Sequence, residues 1–416
     1  MRNVLSKFVI FVAVLASAVA VVDSQQPDAG EIVLGMSAAF TGPSGQLGSD
    51  LYRGAQAYFE EINARGGVAG KRIRLRALDD AYDPVRAIRN TIQLIDDEDV
   101  PLLFGYVGTP TVTRVLPLIR RYGDESPYLL FPFTGAQPHR TPPYNAYVYN
   151  LRASYLEETA GLVDNFVRAG AKRVGIFYQA DAYGRSGWDG VRRALAAHGL
   201  KIVAEATYRR GTQFDASMQA QVDALRTAKP DVIVSIGAYA ACAAFIRDAV
   251  NAGFTVPIAN VSFVGSESML ELLKAESSKS GRDYTTVMVN SEVVPSYEDL
   301  SLPAVREYRE LVAKWKPALP AGMPDTAADR ERFNFVGFEG FLNAKLTVEV
   351  IRRAKGQLDR RSLQAAFASI DHYDLGIDGE VSFALGRTQG LNQVYYTRVE
   401  QGRFVPVDDW QRWVSR

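Results

Sequence analysis

The feature that most constrains the fold of this chain is an alternation of apolar strand patterns with amphipathic helix patterns. The run EIVLGMSAAF predicts a buried strand, and LYRGAQAYFEEINARGG follows it with apolar residues at helical spacing. The strands RIRLRAL, VPLLFGYV and YLLFPF continue this order, and Asp83 and Pro84 supply the N-cap and first residue of a further helix. Continuously apolar strands indicate a parallel sheet with helices over both of its faces.

A second run of the same kind begins near residue 151. Ser154 and Glu157 form a capping box for the helix YLEETAGLVDNFVRAG. The strands RVGIFYQ, KIVAEATY, DVIVSIG and PIANVSF then alternate with helices that end at Gly170, Gly199 and Gly253. We therefore predict an α/β protein with two doubly wound lobes.

Two segments are predicted to be loops, and the C-terminal part is predicted to be a hairpin. Residues 274–283 (KAESSKSGRD) are polar and rich in serine, and residues 317–330 are rich in Pro, Ala and Gly. The stretch NQVYYTRVEQGRFVPV has two strand patterns that turn at Gly402.

The N-terminus has the pattern of a secretory signal peptide. Arg2 and Lys7 precede the apolar run 8–22, and Ala18-Val19-Ala20 is a small-x-small cleavage signal. We expect cleavage after Ala20, so that residues 1–20 are a signal peptide and the mature protein is exported to the periplasm. An uncleaved N-terminal anchor is the alternative. No cysteine follows the apolar run, which argues against lipid attachment there.

Charge and composition disfavour several classes of function. The 47 Lys and Arg residues balance the 47 Asp and Glu residues, and loss of Arg2 and Lys7 leaves 45 against 47, a formal charge of −2. We therefore expect no nucleic-acid partner. One cysteine (Cys242) and three dispersed histidines disfavour a disulfide framework and a metal site built from Cys or His.

No motif for catalysis or for a cofactor is present in the required form. The loop GPSGQLG does not match the dinucleotide-binding pattern, and no Ser–His–acid or Cys–His set can be nominated from spacing. We predict that the protein is not an enzyme and has no cofactor. Asp79, Asp80 and Asp83 are open to two interpretations, a site for a hard cation or, more simply, helix capping and strand-end solvation.

Candidate ligand contacts follow the predicted strands, because ligands of parallel sheets bind beyond the carboxyl ends of the strands. In the first lobe these loops are 41–48, 108–111 and 133–136, and Thr109 and Thr111 add hydroxyl groups. In the second lobe they are 179–183, 237–239 and the region of Ser262. Aromatic walls could come from Tyr106, Phe133, Tyr183 and Tyr239. The alternative is that the loops are plain turns and caps and that the aromatic residues belong to the core.

Motifs along essentially the whole mature chain resemble a known family. They are TGPxGxxG over 41–48, INARGGVAGKRI, DDAYDP, FGYVGTPTVT, QADAYGRSG, PDVIVSIGAY, FIRDAVNAGF and FEGFLNAK. In this order and spacing they resemble the type I periplasmic solute-binding proteins, in particular the leucine/isoleucine/valine-binding group that serves ABC transporters. The stretch from FPFTGAQPHR to YVYNLRASYLEE is similar to a less characterised subgroup.

The resemblance implies two lobes joined by three crossovers that form a hinge. Lobe I would comprise 31–150 and 291–379, and lobe II 151–290 and 380–416. It implies that closure of a monomer traps one small organic solute and that an inner-membrane permease of an ABC importer receives it. A periplasmic sensor for a membrane receptor or kinase is the alternative. A periplasmic hydrolase or dehydrogenase would need a nucleophile or cofactor motif.

The family's ligand contacts can be carried over by position. They fall on Leu47, Thr109, Phe133 and Gly135 in the first lobe, and on Tyr183, Tyr239 and Ser262 in the second. Leu47 stands where some amino-acid binders have tyrosine. Ser262 stands where an acidic residue would hold the α-ammonium group, and Glu267 is the candidate substitute. These departures argue against an amino acid proper and favour an aromatic or other organic carboxylate, with an amino-acid-like solute as the remaining possibility.

Overall fold

The first sheet is built from the first five strands, all parallel. The computed structural model describes residues 30–414, and the predicted signal peptide lies outside them. The strand order is β2-β1-β3-β4-β5. The strands are β1 (Glu31–Ala38), β2 (Arg72–Asp79), β3 (Leu102–Phe104), β4 (Tyr128–Leu130) and β5 (Val148–Tyr149), and the helices between them are α1 (Gly45–Ala64), α2 (Pro84–Ile92) and α3 (Thr109–Arg121). A short π-helical segment, Gln93–Asp97, continues α2.

The second unit repeats this alternation. Its helices are α4 (Tyr155–Arg168), α5 (Ala182–Ala197), α6 (Gln219–Thr227), α7 (Tyr239–Asn251) and α8 (Ser266–Ser280), and its strands are β6 (Val174–Gln179), β7 (Ile202–Tyr208), β8 (Val232–Ile236), β9 (Ile258–Asn260) and β10 (Met288–Glu292). These five strands are parallel to one another, and β10 also pairs with a later antiparallel strand. The predicted two-sheet α/β architecture is therefore confirmed.

After β10 the chain leaves the second sheet and later returns to it. The excursion contains α9 (Pro303–Trp315), α10 (Phe335–Arg353), α11 (Arg360–Ala368) and the small ladder of β11 (Tyr373–Asp374) with β12 (Glu380–Val381). Helix α10 packs on α1, where the rings of Tyr58 and Phe341 lie 5.3 Å apart. Strands β13 (Tyr395–Glu400) and β14 (Arg403–Pro406) then complete the sheet in the order β14-β13-β10-β9-β8-β6-β7.

Most local predictions are confirmed by hydrogen bonds. The Asp83 carboxylate caps α2, and Ser154 and Glu157 form the capping box of α4. Strands β13 and β14 form the predicted antiparallel hairpin around Gly402. The predicted loop at 274–283 is wrong over most of its length, because α8 continues to Ser280. Leu270 and Leu273 bury one side of α8, so a serine-rich sequence stays helical until Gly281, whose φ is +71°.

Among residues 30–414, no helix combines the length and apolar character needed to cross a bilayer.

Candidate functional site

The carboxyl ends of the two parallel sheets face each other, and we call the region where their loops meet the cleft. Hydrogen bonds cross it at both ends. The Gln46 backbone N–H donates to the Tyr239 hydroxyl over 3.3 Å, and the Gln179 side chain donates to the Tyr82 hydroxyl over 3.4 Å. At the other end, the backbone N–H of residue 335 donates to the Glu267 carboxylate over 3.3 Å.

Five aromatic side chains fill the middle of the cleft and form what we call the aromatic cluster: Tyr82, Phe133, Tyr155, Tyr183 and Phe263. The ring of Phe263 lies 5.9 Å from Tyr82, 5.2 Å from Phe133 and 4.7 Å from Tyr183, between ring centroids. Tyr155 and Tyr183 are 5.2 Å apart. All five side chains are buried. Residues from both strand-end regions are therefore in ring contact.

A buried arginine lies against this cluster. The Arg152 side chain is 1% exposed, and its guanidinium carbon stands 4.8 Å over the ring of Phe133. It forms ion pairs with Glu158 at 3.4 Å and Glu339 at 3.5 Å, and it donates to the Ser262 hydroxyl. Its Nε and Nη1 atoms have no hydrogen-bond partner among the described residues. Such a group retains donor capacity for another acceptor.

Glu158 holds the second-lobe side of the site in place. Its carboxylate accepts hydrogen bonds from the Ser262 backbone N–H at 2.8 Å, the Ser262 hydroxyl at 3.0 Å and the Ser291 hydroxyl at 2.7 Å. These bonds join α4 to the ends of β9 and β10. The turn that carries Ser262 is thereby positioned by a fully buried charge.

The far end of the cleft is rich in buried carboxyl groups. Burial raises the pKa of Glu267 to about 8, and burial also raises the pKa of Glu292 and of Asp50. The Glu292 carboxylate accepts a hydrogen bond from the Ser266 hydroxyl at 2.5 Å. Arg332 reaches this end and donates to the hydroxyl of Ser268 at 3.3 Å. Three buried acids therefore lie at this end, where Arg332 approaches and Arg53 forms an ion pair with Asp50 at 3.9 Å.

Three helices begin at the cleft without a side-chain cap. Among the described residues, no side chain caps the N-termini of α3, α7 or α8, whereas the first N–H groups of α1 are bonded, among others, to the Tyr239 hydroxyl and the Ala39 carbonyl group. By contrast, Asp83, Ser154 and Asp181 cap α2, α4 and α5. Uncapped N–H groups and the positive end of the helix dipole favour an anionic partner.

Most of the predicted contact residues lie in the cleft. The Thr109 hydroxyl lies 2.7 Å from that of Thr134 and donates to Tyr155 over 3.4 Å. Gly135 lies so close to Tyr155 that a Cβ there would stand 2.7 Å from its backbone nitrogen. Leu47 and Tyr239 both approach Gly265. Three further predicted contacts lie in the cleft at the positions described above: Phe133, Tyr183 and Ser262.

One predicted contact lies elsewhere, and another lies at the edge of the cleft. Tyr106 is buried in a separate apolar cluster on the side of the first sheet covered by α2 and α3, and its hydroxyl lies 3.1 Å from that of Thr91. The Thr111 hydroxyl donates to backbone carbonyl groups of its own first turn, including that of Gly108 at 2.8 Å. Thr111 and Tyr82 of the aromatic cluster both approach Gly108, so Thr111 lies beside the cluster with its hydroxyl bonded to the backbone.

Residues of the cleft that sequence reasoning missed include Tyr82, Arg152, Tyr155, Glu158 and Phe263 in its middle and Asp50, Glu292 and Arg332 at its far end. Tyr82 and Phe263 had a usable signal, since Tyr82 lies in the DDAYDP segment and Phe263 directly follows Ser262. Arg152 and Glu158 had none, because their partners are distant in the chain and a charged residue near a helix start is ordinarily solvent-exposed.

The two alternatives for the aspartates can be compared with the geometry. Asp83 caps α2, while Asp79 accepts from the backbone N–H of Thr41 at 3.2 Å and Asp80 from the Ser37 hydroxyl at 2.8 Å. These contacts support the capping interpretation. Within residues 30–414 no group of side chains is arranged to hold a metal ion. Cys242 is buried, and burial raises the pKa of its thiol to about 12.

Comparisons with known proteins agree with this architecture. The family model described as periplasmic binding protein matches residues 31–403. The chain is 25% identical over 226 residues to an amino acid binding protein of Pseudomonas aeruginosa, covering 54% of this chain and 59% of that relative. It is 24% identical over 359 residues to Leu/Ile/Val-binding protein homolog 7 of Brucella abortus strain 2308, covering 83% of this chain and 82% of that relative. The chain thus spans a little over half of the first relative's length.

A solved structure is similar over almost the entire chain. The crystal structure of a possible leucine/isoleucine/valine-binding protein from Rhodopirellula baltica SH 1 superposes with a TM-score of 0.82 at 29% identity. It covers 94% of this chain and 100% of its own. Two parallel sheets that face each other across a cleft define a clamshell binding protein. The chain belongs to the periplasmic binding protein family, and the predicted resemblance is confirmed.

Proposed function

We propose that this protein is the solute-binding subunit of an ABC importer, that it acts in the periplasm, and that it captures a small carboxylate-bearing solute in the cleft. Family membership and the names of the relatives support the binding role. Lobe I (31–150 and 291–379) and lobe II (151–290 and 380–416) close on the solute as a monomer, and the closed form is presented to an inner-membrane permease.

The observation that carries the ligand class is the buried guanidinium of Arg152. Its Nε atom has no hydrogen-bond partner among the described residues, and its Nη1 atom forms the 3.5 Å ion pair with Glu339. Both atoms could donate to a carboxylate, and burial strengthens such a charge-assisted bond. The open first turn of α3, with the Thr109 hydroxyl beside it, offers a second donor set. Both features favour an anionic group on the solute.

The acidic end of the cleft supports an amino-acid-like solute. Glu267, Glu292 and Asp50 are buried, and burial raises the pKa of all three carboxyl groups, which favours their neutral forms. An ammonium group on the solute would lower these pKa values and pair with the carboxylate that forms. A solute with a carboxylate at one end and an ammonium group at the other therefore matches both ends of the cleft.

The first test is the thermal stability of the mature protein with a panel of amino acids, aliphatic acids, aromatic acids and amides. A solute at 100 times its dissociation constant should stabilise the protein by about 2.7 kcal/mol. If no member raises the melting temperature, even after unfolding and refolding to remove a co-purified solute, the proposal fails.

Two pairs of variants test the position of the site. Thr109→Ala should weaken binding about tenfold, equivalent to about 1.4 kcal/mol, because it removes a hydroxyl from the cleft. Thr113→Ala is its control, since the Thr113 hydroxyl donates to the Thr109 carbonyl group within the same helix. Tyr239→Phe should also weaken binding, whereas Tyr178→Phe should not, because the Tyr178 hydroxyl donates to Glu205 on the outer edge of the second sheet. Equal affinities within each pair would contradict this site.

A further inference from the structure

A second cavity lies on the outer edge of the second sheet, between the C-terminal half of α5 and β7, and we call it the edge cavity. Its volume is about 620 Å³, which is typical of sites that hold small organic ligands. It is lined by Trp188, Arg192 and Ala196 of α5 and by residues 199–205. Because α5 ends and β7 begins there, the edge cavity lies toward the amino ends of the strands and away from the cleft.

The packing of α5 explains why this edge of the sheet is left open. Gly184 lies so close to β6 that an added Cβ would stand 2.8 Å from the Tyr178 ring. Gly187 approaches β8 in the same way, with a side-chain atom of Ile236 2.5 Å from such a Cβ. The helix therefore lies over β6 and β8, whereas β7 is the last strand in the sheet order. The pairing of β7 with β6 also shifts its register at Val203, in the wall of the cavity.

The wall of the edge cavity is mainly apolar. Trp188 and Ala196 share one face of α5, about two turns apart, and Leu200 and Val203 continue the apolar surface. Trp188 and Leu200 pack against the hydrophobic core and are only partly buried, so part of each remains in contact with water. An alkyl chain in the cavity would cover this surface and be stabilised by the hydrophobic effect.

The charges around the cavity favour an anion at one end. The Asp189 carboxylate is shared between Arg192 at 2.7 Å and Arg193 at 2.6 Å, so these three side chains carry a net positive charge. Lys201 is exposed, and its ammonium group forms no hydrogen bond or ion pair within the described part of the chain. Glu205 lies four residues further along the extended strand, about 13 Å from Lys201. A carboxylate is therefore favoured at the Lys201 end.

We infer that the edge cavity is a second ligand site, separate from the cleft, and that it binds amphiphilic carboxylates. The alkyl chain lies along Trp188 and Leu200, and the carboxylate pairs with Lys201. This site is additional to the proposed function, because it uses no residue of the cleft.

Decanoate below its micelle-forming concentration is the probe, and isothermal titration calorimetry of the whole protein measures its dissociation constant. Hexanoate should bind more weakly, by up to about fourfold for each methylene lost. Decyltrimethylammonium, which has the same chain and a cationic head, should also bind more weakly than decanoate. The fluorescence of Trp188 should change on binding. Trp188→Phe keeps an apolar ring, so it should abolish that change and retain the heat of binding.

Two variants locate the site. Ala196 is exposed and lines the cavity, so Ala196→Trp should fill the space without disturbing the core and weaken decanoate binding about tenfold or more. Ala197→Trp is the matched control, because Ala197 is equally exposed and does not line the cavity. Lys201→Glu leaves the apolar wall intact and should weaken decanoate binding about threefold or more, since it replaces the attractive charge with a repulsive one.

Three results would overturn this second site. Equal decanoate affinities in the wild type, Ala196→Trp and Lys201→Glu would show that the edge cavity is not used. A loss of affinity in Thr109→Ala, with none in Ala196→Trp, would place decanoate in the cleft. An absence of both heat and fluorescence change would show that no such site exists. The proposed function is judged separately, because its solutes should lose affinity in Thr109→Ala and keep it in Ala196→Trp.

Discussion

Replacing Glu158 with alanine is the most informative test of the buried network behind the cleft. The Glu158 carboxylate accepts from the Ser262 N–H, the Ser262 hydroxyl and the Ser291 hydroxyl, and it forms an ion pair with Arg152. The two serines lie 104 and 133 residues further along the chain. Glu158→Ala therefore removes one side chain that joins three separate segments.

The expected loss of stability follows from the contacts. The Ser291 hydroxyl can turn to the Asn260 carbonyl group, which lies 3.4 Å away, and Arg152 keeps its ion pair with Glu339. The Ser262 N–H has no such alternative, and an unsatisfied buried donor costs about 1–3 kcal/mol. Breaking a buried ion pair by removing one partner costs about 3–5 kcal/mol in total, and we expect a loss in that range. Glu158→Gln keeps one acceptor oxygen and should lower the free energy of unfolding by about half as much as Glu158→Ala.

Urea unfolding followed by circular dichroism measures this loss. Glu205→Ala is the control, because Glu205 is exposed and has a single hydrogen bond, from the Tyr178 hydroxyl at 2.9 Å. It should change the free energy of unfolding by no more than about 0.5 kcal/mol. A Glu158→Ala protein within about 1 kcal/mol of the wild type would refute the reasoning, since the buried donors would then have found other partners.

Three further predictions concern single buried or capping groups. Burial raises the pKa of Asp80 from 3.8 to about 7, so the native protein holds a proton that the unfolded chain releases near pH 4. Because the native protein holds this proton more tightly than the unfolded chain, the free energy of unfolding should fall by about 2–3 kcal/mol between pH 5 and pH 8. Asp80→Asn should remove that fall, which urea unfolding at pH 5 and at pH 8 would measure. The prediction would be contradicted if the free energy of unfolding fell by the same amount in the variant and in the wild type. The Cys242 thiol should react with a disulfide reagent only upon unfolding, because the site is buried and burial raises the thiol pKa to about 12; rapid labelling of the native protein would argue against this burial. Asp83→Ala should destabilise the protein by about 1 kcal/mol through loss of the α2 cap, and Asp83→Ser should restore most of it. A stability equal to wild type in the alanine variant would show that the cap is dispensable.

The sequence by itself determined the features that depend on neighbours along the chain. The alternation of strand and helix patterns predicted the α/β architecture, because hydrophobic period and strand length are local properties. Asp83 and Ser154 were recognised as caps, since a cap and its helix lie within four residues of each other. The order of motifs also predicted the family, which the match over residues 31–403 confirms.

Tertiary structure decided which side chains meet. Tyr106 and Phe133 both follow first-sheet strands, yet the sheet directs Tyr106 into the α2–α3 core and Phe133 into the cleft. Residues 274–280 are helical because Leu270 and Leu273 bury the preceding turns of α8. Arg152 and Phe263 acquire their roles only when two sheets face each other, since their partners come from both sheets. A sequence pattern shows which residues are buried on a helix or strand, but it does not show which distant residues will contact them. The buried bonds of Arg152 and Glu158 could therefore be identified only from the folded chain.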